Sequence, residues 1–112
     1  MSTTITWPEV AEPETQTGKV LRRLPPYHVI LLDDDDHTHE YVVVMLLTLF
    51  GYQEEQCWEM ARTVDRTGRC IVFTGSKEVA ELKQDQIHAF GPDPWSSNDC
   101  KGSMTAVIEP AE

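Results

Sequence analysis

The sequence predicts an α/β fold of a single domain, with its elements in the order β-α-α-β-α-β. Three observations predict it. The chain has 112 residues, the length of one domain, and 40% of them are apolar, enough for a small core. Three short β-branched runs bounded by turn residues stand among three longer stretches whose apolar residues recur at helical spacing. Gly51, Gly68 and Gly91 each close one of those longer stretches, where a helix stop is expected.

Residues 1–26 are rich in Thr, Glu and Pro, carry three acidic and three basic residues and lack sustained periodicity, so they are expected to be a flexible tail. Residues 27–112 form the expected domain. Pro25 and Pro26 stiffen the approach to "YHVILL", a β-branched run that places the first strand at Tyr27 to Asp33. The first helix runs from Glu40 to Phe50, with Tyr41, Val42, Met45, Leu46, Leu49 and Phe50 on its buried face. The run Val42-Val43-Val44 favours a strand, but length and Gly51 decide for a helix. "YQEEQCWEMARTVDRTG" supplies the second helix, with Cys57, Ala61 and Val64 on one stripe and Glu54 and Glu55 at its positive end.

"RCIVFT" reads as the second strand. Ser76 then caps a third helix whose Val79, Ala80, Lys83, Ile87 and Phe90 line one side, with Gly91 ending it. "GPDPWSSNDCKG" is a turn-rich loop, and "SMTAVIE" is the last strand by its alternation and β-branching.

With 19 acidic against 9 basic residues the net charge is −10, and the balanced tail leaves all of it on the domain. Such a surface opposes a nucleic-acid backbone or an anionic membrane and favours cationic partners. No run approaches the roughly 20 apolar residues of a membrane span, and no basic segment followed by an apolar stretch opens the chain, so a cytoplasmic protein is expected. Cys57, Cys70 and Cys100 are scattered without C-x-x-C spacing and read as reduced thiols.

The stretch "LLDDDDHTHE", Leu31 to Glu40, demands a chemical reason. Carboxylates at a helix start gain about 0.3 to 1 kcal/mol each from the dipole, which accounts for one or two of them. Four adjacent ones repel, and the excess is understood if a cation binds there. A phosphorelay receiver opens in this way, but the next strand, "CIVFTG", ends without the carboxylate that fold requires. Asp33 to Asp36 with His37 and His39 could hold a divalent metal, and a small metal-binding protein or metal-dependent enzyme is the alternative reading. Neither calcium-loop nor zinc spacing is present, however, so no metal or other cofactor is expected. An ammonium group is the cation that suits the acids better.

The stretches "PPYHVILLDDDDHTHEYVV", "TVDRTGRCIVF" and "SKEVAELK" together resemble the ClpS family, adaptors that carry N-degron substrates to a Clp AAA+ unfoldase. The family's N-D-D-Y-T-P-M-E-F-V reads D-D-D-D-H-T-H-E-Y-V here, Asp33 to Val42, and its V-H-x-x-G reads V-D-R-T-G, Val64 to Gly68. The resemblance implies an α+β sandwich, a three-stranded antiparallel sheet packed against three helices, and a monomeric, non-enzymatic role. It implies that Asp33, Asp35 and Asp65, with Asp34 adjacent, receive a substrate's α-amine, although Arg66 and Arg69 stand as alternative partners for Asp65. His39, Val42, Ala61 and Met104 match the pocket for the first side chain, with both of the family's specificity-shaping methionines absent at His39 and Ala61. Removal of the thioether at Ala61 leaves room for Ile and Val beside Leu, with Phe, Tyr and Trp held less closely. Glu78 and Lys83 match the surface that docks on the N-terminal domain of a ClpA- or ClpC-type unfoldase. The loop beyond Phe90, with Trp95 at its tip, is longer than is usual in the family.

Overall fold

The structure is a computed structural model that describes residues 24–34, 36–96 and 102–111. The expected tail up to residue 23, Asp35 and Cys100 lie outside the described residues. Strand β1 (Tyr27–Leu32) leads to helices α1 (His39–Phe50) and α2 (Glu54–Thr67), then β2 (Arg69–Gly75), α3 (Lys77–His88) and β3 (Thr105–Pro110). The order is the expected one. β1 is the central strand, with β2 and β3 antiparallel on either side.

Alternation along β1 turns Val29 and Leu31 into the core, where they join Tyr41, Met45 and Leu46 of α1 and Cys57, Ala61 and Val64 of α2. All three residues expected on the stripe of α2 are therefore buried. On α1 the expected face is buried at Tyr41, Val42, Met45 and Leu46, while Leu49 and Phe50 are only partly covered and Val43 is buried instead.

Three boundaries differ from expectation. β1 ends at Leu32 rather than Asp33, although the Asp33 N–H still donates to the Gly68 carbonyl at 3.0 Å. α1 begins at His39 because Thr38, which the apolar pattern does not reveal, caps it by accepting from the Tyr41 N–H at 3.2 Å. α3 stops at His88, short of Phe90. The Ala89 and Phe90 N–H groups close its last turn onto Asp85, Gln86 and Ile87, and Gly91 follows with φ 106°. Val79, expected on the buried stripe of α3, is exposed.

The register between β1 and β2 slips between Val29 and Ile30, leaving Val72 as the extra residue of a bulge. The bulge turns the Val72 side chain into the core and its carbonyl outwards, where the Tyr52 hydroxyl donates to it at 2.7 Å. At the opposite edge the Ala106 carbonyl accepts from Gln84 Nε2 at 2.9 Å, and the Ala106 N–H donates to His88 Nε2 at 3.0 Å. Side chains of α3 thus occupy the outer groups of β3. Tyr52→Phe is expected to lower stability by about 1 kcal/mol, since it leaves the bulge carbonyl without its donor. Urea unfolding of both proteins at equal m checks this.

Candidate functional site

The acidic turn joins β1 to α1, and its two ends are fixed by different elements. At its start, Asp33 bonds Gly68, the left-handed residue (φ 89°) that closes α2. Three residues before Gly68, Asp65 lies on the last turn of α2 and its carboxylate is 3.5 Å from His39 Nε2 at the start of α1. Neither arginine that could have claimed Asp65 from sequence forms this pair, and Arg69 bonds Glu109 instead, at 3.4 Å. His39 and Asp65, 26 positions apart in the chain, and Asp33 and Gly68, 35 apart, are thereby brought to one place.

Asp34 is committed within the turn. Its carboxylate accepts from the backbone N–H groups of Asp36 (3.1 Å) and His37 (3.3 Å) and from His37 Nδ1 at 2.7 Å. His37 Nε2 lies 2.8 Å from the Gly102 carbonyl, and the imidazole is only 3% exposed. An ionised carboxylate and a carbonyl only accept, so the pair of contacts favours the doubly protonated ring, in which both nitrogens donate. Burial by itself pushes its pKa down. The hydrogen bonds to Asp34 and Gly102, with the charges of Asp34 and Asp93, outweigh that and hold it above the ordinary value.

Asp93, from the loop after α3, is buried at 4% exposure. Its Oδ2 accepts from the Thr38 N–H at 2.6 Å and from the Thr38 hydroxyl at 3.1 Å, and its Oδ1 accepts from the Trp95 N–H at 2.8 Å. In a capping box the third helical residue would reach back to the cap's N–H; that position is Tyr41 here, and Asp93 takes the role from a distant loop. Sequence reasoning missed Thr38 and Asp93, and gave His37 only as a candidate metal ligand. A threonine just ahead of the helical pattern was a readable cap, whereas nothing in "GPDPW" reveals which N–H groups its aspartate meets.

Of the expected pocket residues, Val42, Ala61 and Met104 are 3%, 1% and 2% exposed and belong to the continuous core, while the His39 ring is 41% exposed at the rim. Glu78 is exposed in the first turn of α3. Lys83 points inward instead, donating to the Leu49 carbonyl at 2.6 Å with its ammonium 5.1 Å from the centre of the Phe50 ring. Its charge complements the negative end of α1. Among the described residues no three His, Cys, Asp or Glu side chains are grouped to hold a metal ion, and none of the helices is long and apolar enough to cross a membrane.

A three-stranded antiparallel sheet carrying three helices, with an acidic turn at the junction of β1, α1 and α2, defines a small α+β sandwich. Residues 22–93 match the family described as ATP-dependent Clp protease adaptor protein ClpS, and the chain belongs to that family. It is 40% identical over 73 residues to the adapter of Ruegeria sp. (strain TM1040), covering 65% of each chain. It is 32% identical over 80 residues to that of Nostoc sp. (strain PCC 7120), covering 70% of this chain and 82% of the relative. The chain thus spans about two thirds of the length of the Ruegeria relative. Agrobacterium tumefaciens ClpS2 bound to L-phenylalaninamide superposes with a TM-score of 0.66 at 26% identity, covering 77% of this chain and 96% of that one.

The His37 cluster carries a signed pH dependence. Its folded pKa is raised above the unfolded value of about 6.5, so its contribution is complete below that value and is lost as pH rises through the folded pKa. The stability gap between the wild type and His37→Gln is expected to be wider at about pH 6 than at about pH 8. Urea titrations of both proteins at the two pH values measure it.

Proposed function

We propose that the protein is a non-enzymatic adaptor that captures the free N-terminus of a substrate polypeptide and delivers it to a Clp AAA+ unfoldase and its protease. The observation that carries this reading is the meeting of the acidic turn with the end of α2, through Asp33 to Gly68 and His39 to Asp65. An α-ammonium has three N–H donors, and carboxylates drawn from the turn and from Asp65 offer the matching acceptors. Charge-assisted bonds of this kind are about twice as strong as neutral ones. Asp33, Asp35 and Asp65 are the residues assigned to the amine, with Asp34 holding the turn in shape through His37.

The first side chain of the substrate packs beside Val42, Ala61 and Met104, walls continuous with the core, under the rim formed by His39. L-Phenylalaninamide, the ligand of the Agrobacterium relative, joins a free α-amine to an apolar side chain, the two features this arrangement suits. Glu78, Val79 and Leu82 are exposed on α3, the part that would meet the unfoldase N-terminal domain, of the ClpA or ClpC type. Lys83 would take part only after leaving the Leu49 carbonyl.

Fluorescence anisotropy with peptides differing only in residue one tests the reading. A Leu-initiated peptide with a free amine is expected to bind, and its acetylated form is not. Asp35→Ala is expected to weaken binding by about 1.5 to 3 kcal/mol, the range for hydrogen bonds to charged groups. Equal affinity for the free and acetylated peptides would refute the assignment.

Ala61 makes a separate claim about selectivity. Its methyl group leaves space beside the substrate Cβ, so Ile- and Val-initiated peptides are expected to bind within about tenfold of Leu. Ala61→Met is expected to weaken Ile and Val by about 1 to 3 kcal/mol through overpacking while sparing Leu. An unchanged ranking in Ala61→Met would mean that Ala61 only packs the two helices.

A further inference from the structure

We propose that the Gly91–Ser96 segment belongs to the recognition apparatus, and that Asp93 within it is a positioning residue for α-amine capture. This rests on the adaptor reading and deepens it. The amine needs several acceptors at hydrogen-bond distance at once, so the turn that supplies them has little positional latitude. Its start is held by Gly68. Its other end is held by the loop between α3 and β3, which grips three consecutive residues: the Ser96 hydroxyl donates to the Asp36 carbonyl at 2.8 Å, the Gly102 carbonyl accepts from His37, and Asp93 accepts from the Thr38 N–H. Asp34 and Asp35 lie between the two anchors.

Asp93 is the centre of this brace. Its two oxygens each take a backbone N–H, Thr38 on one and Trp95 on the other, so the carboxylate binds the turn to its own loop. An amide in its place has one acceptor oxygen and could serve only one of them. Pro92 and Pro94 flank it with fixed φ angles, which limits the shapes the loop can take. α1 already has its own cap in the Thr38 hydroxyl and Tyr41 N–H, so the contact with Asp93 locates the helix start as well as capping it. The family match ends at Asp93, which leaves Trp95 and Ser96 outside it.

The test uses the full chain, with Leu- and Phe-initiated peptides titrated against the wild type, Asp93→Ala, Asp93→Asn and Ser96→Ala, and with the folded fraction followed by circular dichroism. Loss of folded protein raises the apparent Kd only by the reciprocal of the folded fraction, which circular dichroism gives, whereas a misplaced turn raises Kd beyond that factor. Asp93→Ala is expected to raise Kd about tenfold for both peptides with their ranking kept, and Asp93→Asn to fall between it and the wild type. Ser96→Ala, which removes no charge, is expected to raise Kd about threefold and decides the matter if the Asp93 variants do not fold. Equal losses in Asp93→Ala and Asp93→Asn with Ser96→Ala unaffected would assign the effect to charge alone and overturn the brace. Kd values within about twofold of the wild type in all variants would overturn it too. A folded wild type that binds neither peptide would overturn the adaptor reading, and this role with it.

Discussion

Crowding of like charge at one helix start governs how this protein is built. Four carboxylates follow β1 without interruption, and a fifth, Asp93, is buried against the same turn. Such a concentration holds together only if its negative charge is met at close range. The His37 ring meets Asp34, and the positive end of α1 with the Thr38 N–H meets Asp93. These contacts explain why a histidine ring is buried beside the turn and why a distant loop crosses the start of the helix.

Much of the fold was readable because it rests on period. The alternation of β1, the stripe of Cys57, Ala61 and Val64, and the glycines after α1 and α2 each express geometry that repeats along the chain. The site was readable only in part. Asp33 and Asp65 could be paired by resemblance, but the exchange of Arg69 to Glu109, which leaves Asp65 to His39, depends on how strands and helices pack. The role of Asp93 was hidden for a similar reason, since the Thr38 N–H that it accepts from is 55 residues away and is a backbone group, which leaves no trace in side-chain pattern. α3 ended before its apolar periodicity did, because the Ala89 and Phe90 N–H groups tighten onto the last turn and Phe90 instead meets Tyr41 edge-on at 5.6 Å.

Val42, Ala61 and Met104, the walls proposed for the first side chain, lie in the same cluster that joins the sheet to α1 and α2. If they line the pocket, a substitution that reshapes it also changes the packing that supports the fold, and selectivity is bounded by stability. Lys83 adds a second link of this kind, because it ties α3, proposed to meet the unfoldase, to the final turn of α1, the helix that begins at the acidic turn.

The side chains that occupy the sheet edges have a mechanical consequence. Tyr52 holds the outward carbonyl of Val72 on β2, and Gln84 and His88 hold both outer groups of Ala106 on β3. An added strand that paired with Val72 on β2 or with Ala106 on β3 would have to displace them. In the proposed adaptor a chain gripped at its tip alone would keep the rest of its length free to slide, so a motor would pull it away by breaking one small contact rather than peeling a ladder rung by rung.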